Sequence, residues 1–497
     1  MARYIMGIDQ GTTLTKAIIF DHDARIMASA SVENKLYFPQ PNWVEQDPDE
    51  ILASTLKAAE EAFKNSRIVP EDIEAIGITS QLTTTIFWNK YTGEAVGRAI
   101  SWQDNRTTML HEQLPLNEIK EIEIRTGIHL FPNFSVTKIR WLMENDRAIQ
   151  KGLARGELLF GTVDSWLIWK LSGGEAHVTD LSNACLTLLL NTHTLSYDKL
   201  IIDNFGIPYE ILPELRSSSE IYAYTKPEMF FDAKIPIAGD AGDQFAPVLG
   251  QACHKSGNMM CNMGTGTSLT LNTGNQIHVP KEGMDSPILW TIDGQIVRGM
   301  SSWMNVSGAA LQWFRDELGL IHDISEAEVL ASRVSNTQGV YFVPAFAGLT
   351  SPFVDPYSRG CFFGITQGTS KNHLVRAALE AMAYQVRDSF DVMKQLSGSE
   401  IESLRVGGGG AKNDFLLQFL ADILGISVER PAITESSGLG AAFLAGLTTG
   451  YWESISEIEN LVHIERRYEP LFSNDQREEY YHGWKKAIKH SLGWLRD

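Results

Sequence analysis

The stretch Tyr4-Ile5-Met6-Gly7-Ile8-Asp9-Gln10-Gly11-Thr12-Thr13-Leu14-Thr15-Lys16-Ala17-Ile18-Ile19-Phe20 decides the fold. Tyr4 to Ile8 is predicted to be a buried strand, Asp9 to Thr13 a turn, and Thr15 to Phe20 a second strand closed by Asp21-His22-Asp23. The chain therefore opens on a β-hairpin. A similar unit returns about half the chain later, where Met259 to Met263 runs into Gly264-Thr265-Gly266-Thr267 and then the β-prone Ser268 to Asn272. We read the pair as an internal duplication in which two domains each begin strand, Gly/Thr turn, strand.

Between and after these units, strand-like and helical patterns alternate, which points to α/β layers. From His373 onward Leu374, Val375, Ala378, Leu379, Met382, Val386, Phe390 and Met393 recur at helical spacing, with Ser370 as N-cap. Phe415, Leu416, Phe419, Leu420, Ile423 and Leu424 form a second helical face that Gly425 ends. Ile119 to Leu142 and Asp180 to Leu212 carry no clear period.

The 497 residues suffice for two or three domains with cores of their own. A net charge of −19 with no basic stripe argues against nucleic acid as a partner, and 43% hydrophobic residues argue against disorder. The four cysteines, Cys185, Cys253, Cys261 and Cys361, have neither metal-site nor disulfide-framework spacing, which fits a reducing compartment. No secretory signal or membrane-length apolar run is found, so a soluble cytoplasmic protein is expected.

The Gly/Thr turns are the first candidates for chemistry. Backbone N–H groups and hydroxyls at such turns form an anion cradle, and two of them facing each other would grip a polyphosphate. No GxxxxGK[ST] occurs, so this is not a P-loop protein. Gly438-Leu439-Gly440-Ala441-Ala442 imitates part of a dinucleotide fingerprint, but Phe443 fills the third small position. These small residues are read instead as permitting close helix packing near a domain interface.

Leu404-Arg405-Val406 leads into Gly407 to Gly410, then Ala411, Lys412 and Asn413. Four consecutive glycines cost entropy that an ordinary turn does not require, so a flat ligand lying on bare backbone is a reasonable reading; Asn413 either caps the next helix or bonds that ligand. Lys234 to Ala238 reads as a strand ending in Gly239-Asp240-Ala241-Gly242-Asp243-Gln244, with Phe245 to Leu249 entering a short helix. Asp243 is thus predicted at a helix N-terminus that keeps it ionised, either as a proton acceptor or as a structural cap.

Taken together, these motifs resemble the FGGY carbohydrate kinase family of the actin and hexokinase superfamily, with the strongest likeness to its glycerol kinase branch. Gly7 to Thr13, Pro41 to Pro48, Trp102 to Thr107, Gly161 to Trp169, Gly239 to Gln244, Gly264 to Gly266, Gly308 to Asp316, Gly360 to Glu380 and Gly407 to Asn413 carry the resemblance in order along the chain. It implies an α/β fold of two actin-like (ribonuclease H-like) domains, 1–251 and 252–497, flanking a deep catalytic cleft, with ATP and Mg2+ as cofactors. It also implies that Thr12, Thr13 and Thr265 contact phosphates beside Leu14 and Lys16, that Asp9 and Asp243 act near the metal, and that Gly308, Gln312, Gly409 and Asn413 surround the nucleotide. Asp243 matches the catalytic base. Gln81, Leu82, Thr83, Trp102, Asn133, Gln244 and Ser268 complete the implied acceptor site.

That acceptor site departs from the glycerol kinase pattern. The branch shows Asn-Gln-Arg-Glu-Thr-Thr where this chain has Ser80-Gln81-Leu82-Thr83-Thr84-Thr85, so the Arg and Glu that hold glycerol's hydroxyls are replaced. Each such charged hydrogen bond contributes about 1.5–3 kcal/mol. Asn133 stands for a Tyr, Ser268 for a Phe, and Lys16 for an Arg, which keeps the charge but loses the planar fork. The loop by which some relatives bind fructose 1,6-bisphosphate is missing at Phe231-Asp232-Ala233. The expectation is a kinase acting on a four- or five-carbon polyol or ketose, with glycerol as the alternative acceptor and a homodimer or higher homo-oligomer as the assembly. An actin-like ATPase without a sugar acceptor and a sugar-binding regulator that has lost catalysis are the competing classes; Asp243-Gln244 and both retained turns argue against them.

Overall fold

Apolar alternation draws Tyr4–Gln10 and Leu14–Phe20 into the expected antiparallel hairpin, with Ile5 opposite Phe20 and Gln10 opposite Thr15. The computed structural model describes residues 3–496. Ile26–Glu33 extends the hairpin into a meander, and on the other side Tyr4–Gln10 pairs in parallel with Ile73–Ser80, which pairs in parallel with Pro236–Gly242. Ser219–Tyr224 closes this six-stranded sheet.

The second sheet repeats the plan. Met259–Met263 and Thr267–Gly274 form the hairpin, Gln295–Met304 extends it, and Ser403–Gly407 and Ser427–Pro431 add parallel strands on the other side. Ile288–Ile292 and Ile464–Tyr468 are its edges. The duplication that two short Gly/Thr matches indicated is thus a repeated meander-plus-parallel topology, with the two turns at Gly11–Thr13 and Gly264–Gly266.

Parallel neighbours require crossovers, and helices supply them. Pro48–Lys64 packs on the first sheet, capped by the Asp47 side chain and started by Pro48. In the second half Lys371–Ser397 begins after Ser370, and Asp414–Leu424 ends at Gly425 with φ 73°, both as expected. The stretches without clear period hold the helices Leu116–Thr126, Ser135–Asn145 and Lys199–Phe205, around a separate apolar cluster that includes Phe87, Ile122, Ile139 and Phe205, and Leu181–Cys185, which packs in another cluster with Phe245 and Leu439.

Helix Ser436–Thr449 belongs to the second half of the sequence but lies on the first sheet. Gly7, Gly77 and Gly239 stand side by side across three strands beneath it. A Cβ at Gly77 would collide with the Ala441 carbonyl oxygen, and one at Gly239 would stand 2.6 Å from Ala445 N. Gly440 meets the Ala246 carbonyl in the same way. The Gly438–Ala442 run therefore serves close packing, as its small residues indicated, and not a dinucleotide.

Candidate active site

The first strand ends at Gln10, and its turn is held open by neighbours. Gly11 O accepts from Asn34 Nδ2 at 2.7 Å, Thr12 O from Gln46 Nε2 at 3.1 Å, and Thr12 Oγ1 from Trp102 Nε1 at 2.7 Å. Thr13 and Leu14 are exposed. The second turn is fastened to the start of the helix Gly308–Asp316, since Thr265 O accepts from Ser307 and Ala309 N–H and Gly264 O from Gly308 N–H. A Cβ at Gly308 would lie 2.6 Å from Gly264 O, so this approach requires glycine.

The two turns meet through tryptophans. The Trp102 ring, which bonds Thr12, packs edge-on to Trp303 at 6.2 Å, and Trp303 in turn lies under Gly266, where a Cβ would be 2.8 Å from its ring. Both Gly/Thr turns accordingly lie on the same side of the molecule. Trp303 has no pattern that would single it out in the sequence.

Asp243 stands at the end of Pro236–Gly242, its N–H donating to Ser80 O at 3.0 Å. The strand runs further than Lys234 to Ala238, and the helix Ala246–Gly250 starts after Phe245 without any side-chain cap. Asp243 is therefore not a helix cap, and the expectation that a helix terminus keeps it ionised is corrected. Burial and the nearby Asp9 carboxylate push its pKa up to about 8. Asp9 is raised to about 6 by burial, which Lys16 opposes and Glu435 reinforces. Lys16 Nζ pairs with Glu435 Oε2 at 2.6 Å, a partner the sequence reading missed because it lies on the far side of the chain.

Of the acceptor candidates, Gln81 and Leu82 follow directly on Ile73–Ser80, whose last carbonyl receives the Asp243 N–H. Gln81 is buried, donating to Gln10 Oε1 at 3.0 Å and accepting from Thr84 Oγ1 at 3.2 Å. Leu82 is buried against Gly242, within an apolar cluster with Ala241 and Phe245. It fills space beside Gly242 and offers no polar group. Thr83 has φ +59° and donates to Asn133 O at 3.3 Å. Gln244 is half-buried next to Asp243. Ser268 lies buried in the second sheet opposite Trp303, and among the described residues no hydrogen bond joins it to the others.

In the glycine tract, Gly408 has φ +78° and, with Gly410, sits too close to Met263 for any side chain. A Cβ at Gly409 would meet nothing within 4 Å, so this one glycine of the tract faces open space, as a ligand surface requires. Asn413 Oδ1 accepts from Leu416 N–H at 2.8 Å and caps its helix. Gln312 is exposed on the helix that follows the second turn.

Residues 4–250 match the N-terminal domain, and residues 259–449 the C-terminal domain, of the FGGY family of carbohydrate kinases. The chain belongs to this family. Glycerol kinase of Caldanaerobacter subterraneus subsp. tengcongensis is 45% identical over 498 residues, covering 100% of both chains. Glycerol kinase 2 of Thermotoga maritima is 45% identical over 493 residues, covering 99% of both. The crystal structure of Plasmodium falciparum glycerol kinase with ADP superposes with a TM-score of 0.92 at 31% identity, covering 99% of this chain and 98% of that one. Gluconate kinase from Lactobacillus acidophilus, with a TM-score of 0.86 at 23% identity and full coverage of both chains, shares the fold. This FGGY kinase is an ATP-dependent phosphotransferase with an alcohol acceptor. No helix among its described residues is long and apolar enough to cross a membrane.

Proposed function

We propose that this FGGY kinase transfers the γ-phosphoryl group of Mg-ATP to a hydroxyl of a small polyol, with Asp243 as general base. The observation that carries the reading is the placement of Asp243 beside Asp9, at the foot of the first Gly/Thr turn, with the second turn joined to it through Trp102 and Trp303. Phosphoryl transfer needs alignment and charge neutralisation more than covalent help. Thr12, Thr13 and Thr265 with their turn N–H groups bind the phosphates, Lys16 adds positive charge, and Gly409 with Gly308 leaves backbone for the adenosine. Asp243 takes the proton of the attacking hydroxyl.

Two carboxylates that each resist ionisation beside the other fit a divalent cation, because magnesium is commonly held by one or two carboxylates plus phosphate oxygens. Bound there, Mg2+ would neutralise charge on the phosphates. The four cysteines are free thiols, three of them buried, which supports work in the cytoplasm.

Full-length relatives that are glycerol kinases support glycerol as the first acceptor to expect. A second reading, a four- or five-carbon polyol or ketose, is favoured by the acceptor wall itself: buried Leu82, Thr83 and Ser268 and half-buried Asn133 offer no charged pair for glycerol's hydroxyls. ADP release with Mg-ATP, measured across glycerol, tetritols, pentitols and ketoses, separates them. The highest kcat/KM identifies the acceptor, and no acceptor-dependent ADP with any of them rejects the proposal.

A further inference from the structure

Thr83 is held in a conformation that its own chemistry resists. With φ at +59° it occupies the left-handed region, where a β-branched side chain crowds the backbone. What opposes that strain converges on one atom. The Thr83 carbonyl oxygen accepts from Ser135 Oγ at 3.0 Å, Thr85 Oγ1 at 3.2 Å and Lys138 Nζ at 3.3 Å.

Lys138 is fully buried, and among the described residues it forms no ion pair within 4 Å; Thr83 O is its one hydrogen-bond acceptor. Burying an ammonium group is costly, and an aliphatic side chain of similar length would fill the same volume without that cost. Packing alone therefore does not call for a lysine. The residues that lead into the pinned carbonyl are those of the acceptor wall: Leu82 lies on Gly242, next to Asp243, and Thr83 Oγ1 reaches Asn133 O.

We infer that Lys138 is a positioning residue for the acceptor: with Ser135 it locks Thr83 in the left-handed conformation and so fixes the wall from Leu82 to Asn133 against Asp243. This rests on the acceptor site proposed above. The lock acts on one substrate only, because among the described residues no hydrogen bond of Lys138 or Ser135 reaches the Gly/Thr turns or the glycine tract.

The test uses the full chain and Lys138→Met, which keeps the volume and removes the donor. Hydrogen exchange, followed by mass spectrometry, should rise at least about tenfold at amides 82–85 with the two central sheets unchanged. The acceptor KM should rise at least about tenfold while the KM for ATP stays within about twofold. In a Thr83→Gly background, where the left-handed conformation no longer needs a lock, the same substitution should raise the acceptor KM less than about threefold. Unchanged exchange at 82–85, equal shifts in both KM values, or independent effects of the two substitutions would overturn the inference. Should Lys138→Met not fold, Ser135→Ala takes its place: a rise in acceptor KM alone of about threefold supports the lock, and no rise overturns it. If the unaltered chain turns over no polyol, the function reading fails and the acceptor role with it, while the exchange result still decides whether Lys138 pins Thr83.

Discussion

Asp243 and Asp9 illustrate what single residues decide here. Each is half-buried, Asp9 raises the proton affinity of Asp243 while burial and Glu435 raise that of Asp9, and Asp243 is paired with no cation of the protein's own among the described residues. A carboxylate with its pKa pushed up to about 8 is a better base than an exposed aspartate, provided the bound phosphates and their counter-charge leave it ionised. Asp243→Asn preserves shape and removes the proton acceptor, so turnover should fall at least ~100-fold while ADP affinity, measured by calorimetry, changes less than ~3-fold. Turnover within a few-fold of the unaltered enzyme would remove Asp243 from the base role. The positions of Thr12, Thr265 and Asp243 at the ends of strands were legible in the sequence because each β-run breaks at glycine. Thr83's strain, Trp303's bridge and Glu435's pairing with Lys16 were not, because a dihedral angle or a contact between distant segments leaves no local pattern.

At the scale of elements, periodicity and capping residues read correctly where one face is continuously apolar. Ser370, Gly425 and the buried face from Val375 to Met393 stand as expected, whereas Leu116–Thr126, as long as Asp414–Leu424, buries only Ile122 and Thr126, and Ser135–Asn145 buries Ser135, Thr137 and Lys138 among its apolar residues, so no period emerges. The run Gly438–Ala442 was legible as a close-packing surface, but its partner, the row Gly7, Gly77 and Gly239, becomes visible only when strands are placed in register. Gly77→Ala puts a methyl group into the carbonyl of Ala441 and should destabilise the chain by about 3 kcal/mol or more, read from urea unfolding. An unchanged midpoint would show that the helix can ride higher on the sheet.

A second element contact is set by protonation. Asp388, on Lys371–Ser397, accepts from Tyr481 Oη and Trp484 Nε1, both at 2.7 Å, and burial pushes its pKa up to about 7. Because the folded value lies above the unfolded one, its contribution is complete below pH ~4 and is lost as pH rises through ~7, at most about 4 kcal/mol. The difference in unfolding free energy between the unaltered chain and Asp388→Asn should therefore shrink or change sign from pH 5 to pH 8. A difference constant across that range would place the carboxylate elsewhere on the pH scale.

At the scale of the whole molecule, the two halves of the sequence are stitched together beside the segment that joins them, where Ser436–Thr449 packs on Ala246–Gly250. One apolar cluster draws Ile5, Ile18 and Phe20 from the first half and Leu439, Phe443 and Trp452 from the second. Trp452 Nε1 also donates to His22 O at 3.0 Å, and Tyr451 Oη to Arg3 O at 2.7 Å. A separate seam joins His129 Nδ1 to Asp285 Oδ1 at 2.7 Å. The first sheet thus borrows a covering layer from residues 436–452, and without it the glycine row would face water with nothing to exclude it. Residues 1–251 expressed alone should accordingly lack a cooperative thermal transition, because the apolar face buried by that helix remains exposed and the sheet is left one-sided. Fusing residues 432–453 to the end of the fragment through a flexible glycine-serine linker should restore a cooperative melt followed by circular dichroism, since the helix then reaches the same surface. A sharp transition for 1–251 on its own would mean that the six-stranded sheet closes its core without the second half, and that the crossing helix serves only to hold the halves in register around the two Gly/Thr turns.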